Sequence, residues 1–447
     1  MKSFIKESHK EACLTYTKRL VSYPSVIHEG QNGTPFGQAI QDVLEATLQL
    51  CQDLGFSTYI DPKGYYGYAE VGQGEELLAV LCHLDVVPAG PLNEWKTDPF
   101  EATLIDGMLY GRGVQDDKGP SVAALLAAKA LMDAGVTFKK RLRFIFGTDE
   151  ETLWRCMARY NELEEVADMG FAPDSSFPLT YAEKGLLQAK LLGPGQTDLS
   201  LELGGAYNVV PGKAPYQGDK LEEVKGYLDR LGHPYQEDET GLTVLGRDLH
   251  SKDAMDAQNA LVALCQALYP LYRLPVLDFL ANQVGMDGSG AHLLGPIEDE
   301  PSGSLSFNVA GLSLSPDKTE VRLDIRIPVL ASKEDLVARL KEKAANYGLS
   351  YEEFDYLAPL YVPLESPLIT TLMQVYQEKT GDRRPAESSG GATFARTMTN
   401  CVAFGAGFPG TPQTEHQANE GTPIQDLYKA MEIYAEALYR LLDDTFE

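Results

Sequence analysis

Between residue 1 and about residue 183, segments with apolar residues at helical spacing alternate with short, continuous apolar runs. The helical spacing predicts amphipathic helices, and the continuous runs predict buried strands. This alternation predicts an α/β layer on a mostly parallel sheet. The predicted helices are 6–23, 37–54 and 121–134, and the predicted strands are 77–83 and 141–147.

The order of predicted elements changes beyond residue 185. Strands and helices then follow in two comparable sets, which predict two successive α+β units of split β-α-β character. From residue 362 the earlier alternation resumes, so we expect one domain built from 1–185 and 362–447, interrupted by an inserted α+β domain at 186–361. The later predicted helices are 219–232, 256–268, 333–347, 368–380 and 424–442.

The composition narrows the possible partners. The chain has 447 residues, of which 44% are hydrophobic, and this is enough for more than one core. Its formal net charge of −27 argues against a nucleic acid or an anionic membrane as partner, because phosphate binding needs clustered Lys and Arg. The same charge is compatible with binding a cation or a cationic substrate.

The cysteines and the N-terminal segment indicate the compartment. The six cysteines are far apart and include no C-x-x-C pair, which argues against disulfides and against a thiolate zinc site. The first 26 residues mix charged and apolar side chains, and no apolar run is long enough to span a membrane. We therefore expect a soluble, cytoplasmic protein.

Histidines and acidic residues occur where predicted strands end. Ligands gather at the carboxyl ends of the strands in open parallel sheets, and imidazole and carboxylate groups together suit zinc or manganese. A lone aspartate at a strand end is more often a turn or cap residue, and a lone histidine there is usually a hydrogen-bonded structural group, but their conjunction predicts a metal site. The residues are His83, Asp85, Asp116, Asp117, Asp149, Glu150, Glu151, Asp174 and His416.

Five segments, in a fixed order, carry a resemblance to a known family. They are "HLDVVPAG", "YGRGVQDDKGP", "GTDEET", "FAPDSSFP" and "TEHQANE". The set resembles the co-catalytic metallopeptidases, which include aminoacylases, glutamate carboxypeptidases and the Xaa-His dipeptidases or carnosinases. It is most similar to bacterial dipeptidases of the peptidase V type. Over nearly the whole chain, the resemblance implies a catalytic domain of the zinc-peptidase α/β/α type at 1–185 and 362–447, with a lid domain at 186–361.

The resemblance implies a site for two divalent metal ions. By that likeness His83 and Asp174 bind one ion, Glu151 and His416 bind the other, and Asp116 bridges both. Zinc is the first choice, and manganese or cobalt are alternatives because the same ligand types suit all three.

The same resemblance implies roles for the neighbouring acidic residues. Glu150 is the expected general base, and Asp85 is expected to accept a hydrogen bond from the imidazole of His83 and so fix its tautomer. In the family the peptide bond after the bridging aspartate is cis, which would be the bond between Asp116 and Asp117.

In the inserted domain, the resemblance implies substrate contacts. His250 is expected to stabilise the oxyanion, and Asn208 and Arg326 to bind the free α-carboxylate with help from the backbone at Gly390 and Gly391. Arginine suits this task because its planar fork matches a carboxylate. The segment "HSKDAMDAQNA" lacks the proline and the glycine that the family has around this histidine, so we expect a different loop shape there.

These expectations predict a dipeptidase acting on dipeptides with a free amine and a free carboxylate, β-alanyl or D-amino-acid types included. The alternatives are an N-acyl-amino-acid deacylase and a catalytically silent binding protein, and the complete set of site residues argues against the second of these. A nucleotide-binding interpretation of "GRGVQD" fails, because G-x-G-x-x-G needs a glycine where Asp116 stands. The doubled lid predicts a monomer, since dimeric relatives pair one such unit across a two-fold axis.

Overall fold

The computed structural model describes residues 3–30 and 33–443. The α-helices of this part of the chain are α1 Glu7–Val21, α2 Gln38–Asp53, α3 Lys118–Asp133, α4 Arg155–Leu163, α5 Leu221–Leu231, α6 Ala260–Tyr272, α7 Pro275–Asp278, α8 Ala291–Leu294, α9 Lys333–Ala345, α10 Pro367–Thr380 and α11 Ile424–Leu441.

The strands range from two to ten residues in length and lie throughout the described chain. They are β1 Ser57–Ile60, β2 Tyr66–Val71, β3 Leu77–His83, β4 Thr103–Ile105, β5 Met108–Tyr110, β6 Arg141–Gly147, β7 Met169–Ala172, β8 Ser175–Ser176, β9 Thr180–Glu183, β10 Gly185–Pro194, β11 Leu201–Gly204, β12 Lys213–Tyr216, β13 Tyr235–Glu237, β14 Leu242–Leu245, β15 Glu298–Asp299, β16 Gly303–Ser304, β17 Ser306–Leu314, β18 Lys318–Ile327, β19 Ser350–Leu357, β20 Leu360–Tyr361, β21 Glu387–Ser389, β22 Cys401–Ala403, β23 Ala406–Gly407 and β24 Gly421–Pro423.

The chain divides into two compact units. The first unit contains Met1–Tyr181, Tyr361–Glu387 and Thr393–Glu447, and the second unit contains Ala182–Leu360 and Ser388–Ala392. The second unit thus includes a short segment that the sequence analysis places in the last part of the first domain.

The first unit is built on a mixed sheet with the order β1-β2-β6-β3-β7-β22-β9-β20. The neighbours β6, β3, β7 and β22 run parallel, whereas β1 and β2 are antiparallel additions at one edge. Strand β3 is buried at every position because it has a parallel neighbour on both sides, and helix α3 packs against it, α1 and α11. The carboxyl ends of β3, β6 and β7 therefore lie along one edge of the sheet.

Strands β3 and β6 have the bounds that the apolar runs predict, and the predicted helices are confirmed within a few residues at each end. Helix α6 is the clearest difference, since it begins at Ala260 rather than at residue 256. The side chain of Asn259 accepts hydrogen bonds from the backbone N–H groups of Leu261 and Val262, which fixes the start of the helix. The preceding residues Ser251–Asp256 form a 3-10 turn.

The second unit contains an antiparallel sheet with the order β11-β17-β18-β10-β19 and a smaller one with the order β12-β14-β13. Strand β10 belongs to the first of the two units that the sequence predicts, yet it pairs with β18 and β19 of the other. The two predicted units therefore share one sheet and one apolar core.

The remaining expectations about the chain concern cysteines and membranes. All six cysteines are buried and none is paired in a disulfide, as their spacing predicts. Within residues 3–30 and 33–443, no helix has the length and apolarity that crossing a bilayer would need.

Candidate metal centre

His83 is the last residue of the buried strand β3, and only 1% of its side chain is exposed. Its Nδ1 lies 3.0 Å from the backbone oxygen of Asp85, whereas the nearer carboxylate oxygen of Asp85 is 3.7 Å away. The main-chain carbonyl of Asp85 is therefore the group that holds the proton on Nδ1 and leaves Nε2 facing the site. The Asp85 carboxylate instead accepts a hydrogen bond from the backbone N–H of Glu151, at 3.0 Å.

Asp116 stands between two histidines. Its Oδ1 is 2.8 Å from Nε2 of His83, and its Oδ2 is 2.9 Å from Nε2 of His416. The residue lies in the loop between β5 and α3, and the peptide bond to Asp117 is cis, as the sequence analysis expects. One carboxylate thus presents its two oxygens to two imidazoles that are 333 residues apart in the chain, since 416 − 83 = 333.

Two further carboxylates complete the cluster. Asp174, in the turn after β7, places Oδ2 3.6 Å from Nε2 of His83. Glu151, which follows β6, places Oε2 3.0 Å from Nε2 of His416. The five ligand residues that the resemblance implies are therefore together, although they come from four separate loops and strand ends and from the long loop before β24.

These residues form two groups that fit divalent cations. In the group of His83, Asp116 and Asp174, and in the group of Asp116, Glu151 and His416, one potential ligand atom from each residue lies within 4.8 Å of the others. Nitrogen and carboxylate donors of this kind suit zinc, manganese and cobalt. Asp116 belongs to both groups, so the arrangement fits two neighbouring cations that share one carboxylate.

The histidines of the cluster are strongly influenced by its carboxylates. Hydrogen bonds with Asp116 and Glu151 raise the pKa of His416 to about 11. Burial lowers the pKa of His83, but the hydrogen bond to Asp116 and the charge of Asp174 outweigh burial and raise it well above its ordinary value. A cation that binds either imidazole must displace a proton from it, because only the neutral ring offers a lone pair.

Glu150 lies beside the ligand Glu151 and is partly buried. Its backbone oxygen accepts a hydrogen bond from Nε1 of Trp154, and its carboxylate has no hydrogen-bond donor among the described residues. Burial raises the pKa of Glu150 well above its usual range, and the charges of Glu151 and Asp116 add to this effect. A carboxylate in such surroundings takes up a proton readily.

Comparison with known sequences identifies the family. Residues 79–440 match peptidase family M20/M25/M40. The chain belongs to this family. It is also 35% identical over 457 residues to "Putative dipeptidase YtjP" of Bacillus subtilis (strain 168), with 97% of this M20-family chain and 97% of that protein covered.

Solved structures of M20-type enzymes share the fold. The dipeptidase Dug1p of Saccharomyces cerevisiae matches with a TM-score of 0.62 and 18% identity, covering 97% of this chain and 96% of that one. Human carnosine dipeptidase 1 matches with a TM-score of 0.61 and 16% identity, covering 98% and 97%. At such low identity, these two likenesses support the fold alone.

The second unit of this M20-family peptidase holds the residues expected to contact substrate. Nδ1 of His250 accepts a hydrogen bond from the backbone N–H of Lys252 at 3.1 Å, so the ring proton lies on Nε2. Burial, with the charges of Arg326 and Lys252, lowers the pKa of His250 to about 4. The backbone N–H of Ser251 donates to the carbonyl oxygen of the exposed Asn208 at 2.8 Å, which joins the segments of Asn208 and His250.

Arg326 is 2% exposed and already has a carboxylate partner. Its Nε and Nη2 donate to the two carboxylate oxygens of Asp324, at 2.7 and 3.0 Å. Nη2 also donates to Oγ of Ser251 at 3.1 Å. Nη1 donates to the carbonyl oxygen of Gly390 at 3.0 Å. The two-pronged contact expected for a substrate carboxylate is therefore made to Asp324. Of the five N–H groups of the guanidinium, one on Nη1 has no acceptor among the described residues.

The glycines expected to assist are close to this arginine. A Cβ added to Gly390 would lie 2.7 Å from Cβ of Lys252, so glycine is required for this approach. The backbone N–H of Gly391 donates to Oγ of Ser389 at 2.9 Å.

Glu420 contacts the backbone of Asp116, and the sequence analysis does not single it out. It lies four residues after His416, is fully buried, and forms an ion pair of 2.7 Å with Arg112. The segment "TEHQANE" contains it, but nothing in that polar segment predicts burial. The lone arginine in "YGRGVQDDKGP" was the signal that could have found it, because an arginine buried beside the site needs a buried partner.

Proposed function

We propose that this M20-family peptidase is a metal-dependent dipeptidase with two divalent cations. The observation that carries the proposal is the pair of ligand groups that share Asp116, in a chain similar over 97% of its length to a protein named as a putative dipeptidase. His83 and Asp174 would hold one cation, Glu151 and His416 the other, and Asp116 would contribute to both. Zinc is the preferred ion, with manganese and cobalt as alternatives.

Cations in such a site lower the pKa of water and polarise a carbonyl oxygen. Glu150 is proposed as the general base, which takes a proton from the attacking water on its carboxylate and gives it to the leaving amine. No described residue donates a hydrogen bond to its carboxylate, which is therefore available to accept the proton.

We propose that the second unit recognises the carboxylate end of the substrate. His250 has its proton on Nε2 and would donate it to the oxyanion, a contact that is typically worth about 2.7–4 kcal/mol. Asn208, the last Nη1–H of Arg326 and the backbone at Gly390 and Gly391 would bind the free carboxylate. Because Nε and Nη2 of Arg326 already donate to Asp324, this arginine would bind the substrate carboxylate through one N–H group rather than two.

The proposal is tested by removing and restoring the metal. The protein is treated with a chelator, and zinc, manganese or cobalt is added back singly before turnover is measured. The substrate panel contains α-dipeptides, β-alanyl dipeptides, D-amino-acid dipeptides, and acetyl- and succinyl-amino acids. We expect activity on dipeptides that disappears on chelation and returns with a divalent ion at a stoichiometry of two.

Each arm of this test has a defined meaning. Preference for acylated amino acids over every dipeptide would establish the deacylase alternative. Full activity in the chelated protein, with no residual metal by elemental analysis, would overturn the proposal. Metal binding without hydrolysis of any member of the panel would favour the silent binding protein.

A further inference from the structure

We propose that Glu420 is a positioning residue that ties the loop of His416 to the loop of Asp116. It thereby sets the affinity for the second cation, which is the one that Asp116, Glu151 and His416 would hold; the first cation is the one that His83, Asp116 and Asp174 would hold. The inference rests on the proposed two-cation site. It assigns a role to a residue that is neither a ligand nor in contact with substrate.

Glu420 is bonded to one short segment of the chain. Its Oε1 accepts hydrogen bonds from three backbone N–H groups, those of Gly113 at 3.0 Å, Gln115 at 2.9 Å and Asp116 at 3.2 Å. Its Oε2 accepts from Nη1 of Arg112 at 2.7 Å. A single buried carboxylate therefore fixes the main chain of the loop that ends in the shared ligand Asp116.

Arg112 is held in turn by its own surroundings. Only 1% of the residue is exposed, its guanidinium lies 5.3 Å from the ring centre of Trp95, and Nη2 donates to the carbonyl oxygen of Pro88 at 3.3 Å. Glu420 is consequently the anion that balances a buried arginine, and its position is fixed on both sides. An ion pair of this kind favours one geometry strongly, because leaving either charge unpaired inside the protein is costly.

His416 depends on polar contacts for its position. Its side chain is 52% exposed and its φ is 61°, so neither apolar burial nor regular structure holds the imidazole in place. Gln115 also joins the same pair of loops. Its Oε1 accepts from Oγ1 of Thr414 at 2.8 Å and lies 3.2 Å from the backbone N–H of Thr414, and its Nε2 donates to the carbonyl oxygen of Pro412 at 2.8 Å. Glu420 supplies the buried part of this connection.

The two ligand groups should respond differently when the connection is lost. His83 and Asp174 are placed by the central strands β3 and β7, whereas His416 is placed by its loop. Loss of the Glu420 contacts would therefore weaken the group of Asp116, Glu151 and His416 more than the group of His83, Asp116 and Asp174. Partners that orient metal ligands typically change affinity by about 10- to 100-fold.

The experiment compares metal binding in two variants of the full-length protein. In R112M/E420M both charges are replaced together, so that no buried charge is left unpaired. In E420Q one oxygen can still accept the three backbone N–H groups. Metal-free protein is titrated calorimetrically with Co²⁺, and the visible absorption spectrum is recorded during each titration as a second measure of the ligand geometry.

A matched control pair lies elsewhere in the first unit. Asp61 is 2% exposed, accepts two hydrogen bonds of 2.8 Å from Arg159, and accepts one from the backbone N–H of Tyr65 at 3.2 Å. It touches neither ligand loop among its described contacts. The Arg159 side chain is 22% exposed, so D61M/R159M reproduces the loss of an ion pair with a buried carboxylate, without loss of the proposed connection.

We expect the second Co²⁺ to bind at least about 10-fold more weakly to R112M/E420M, with an altered spectrum, and the first within about threefold of wild type. E420Q should be intermediate and D61M/R159M should match wild type. Wild-type affinity for both ions, or equal weakening of both, in R112M/E420M would overturn the inference. Failure of the wild type itself to bind two ions would instead refute the proposed function.

Discussion

At the scale of single residues, the site is organised around one carboxylate with two histidines. The carboxylate oxygens of Asp116 lie 2.8 Å from Nε2 of His83 and 2.9 Å from Nε2 of His416. One further carboxylate completes each ligand group, Asp174 beside His83 and Glu151 beside His416. Glu150 belongs to neither ligand group, and its pKa is raised. The proposed function therefore gives metal binding and proton transfer to different side chains, which makes the two separable by substitution.

Glu150→Gln should separate the two functions. We expect the variant to bind two cations as the wild type does, because the amide is nearly the same size and replaces no ligand. Its kcat should fall by about 10²- to 10⁴-fold, since the proposed general base is lost. Glu162→Gln, at an exposed position on α4, serves as the control and should leave kcat unchanged. Turnover of E150Q near the wild-type rate would remove Glu150 from the mechanism.

His250 should make the stability of the metal-free protein depend on pH. Burial lowers its pKa from 6.5 to about 4 in the folded protein. Between these values the unfolded chain binds a proton that the folded one does not, so stability is lost as pH falls from 6.5 towards 4. At about 1.4 kcal/mol per pKa unit the loss approaches about 3 kcal/mol at pH 4.

Urea unfolding of wild type and His250→Asn at several pH values checks this expectation. Asparagine can still accept the N–H of Lys252, as the Nδ1 of His250 does, so the local cap is kept and the titration is removed. The difference in unfolding free energy should change in favour of H250N as the pH falls. Parallel curves for the two proteins would contradict the expectation.

At the scale of elements, ligand positions depend on how closely the central strands approach. Gly170 in β7 allows this approach, since a Cβ there would lie 2.5 Å from the carbonyl oxygen of Ala79 in β3 and 2.9 Å from Sγ of Cys401 in β22. The added Cβ would clash with a backbone oxygen, so relief of the clash would require β3 and β7 to move apart rather than a side chain to rotate. Asp174 follows β7 and His83 ends β3, so such a shift would separate two ligands.

Gly170→Ala should therefore affect both stability and metal binding. We expect about 1–3 kcal/mol of destabilisation from overpacking, and weaker binding of the first cation. Gly226→Ala in α5 is the matched control, because its Cβ meets nothing within 4 Å and the change should preserve or increase stability. Thermal unfolding and Co²⁺ titration measure the two effects. Unchanged metal affinity in a destabilised G170A would show that the strand spacing does not control the ligands.

At the same scale, the spacing of apolar residues predicted the positions of helices and strands better than it predicted their first residues or the pairing of the strands. It located β3 and β6 without error, because a short, continuous apolar run within an α/β layer is typical of a buried strand. It placed the start of α6 too early, since the cap at Asn259 is a local contact within a polar stretch. It also assigned β10 to one unit, whereas the register shows it between β18 and β19.

At the scale of the whole molecule, we predict a monomer. The second unit joins the strands of two successive α+β sets in one sheet, so this sheet is completed within one chain. Light scattering after size-exclusion chromatography should give a mass near 49.0 kDa. A stable mass of twice this value over a range of protein concentrations would contradict the prediction.

The sequence by itself determined the family, the order of the ligand segments and the central strands. These features are local, because each motif and each apolar run is contained in a few consecutive residues. Only the tertiary structure decided which distant groups meet. In the tertiary structure the guanidinium of Arg326 donates to Asp324 and is not free for a second carboxylate, and Glu420 is buried in an ion pair with Arg112. Such contacts depend on the packing of the surrounding elements, and periodicity reports only which face of an element is buried.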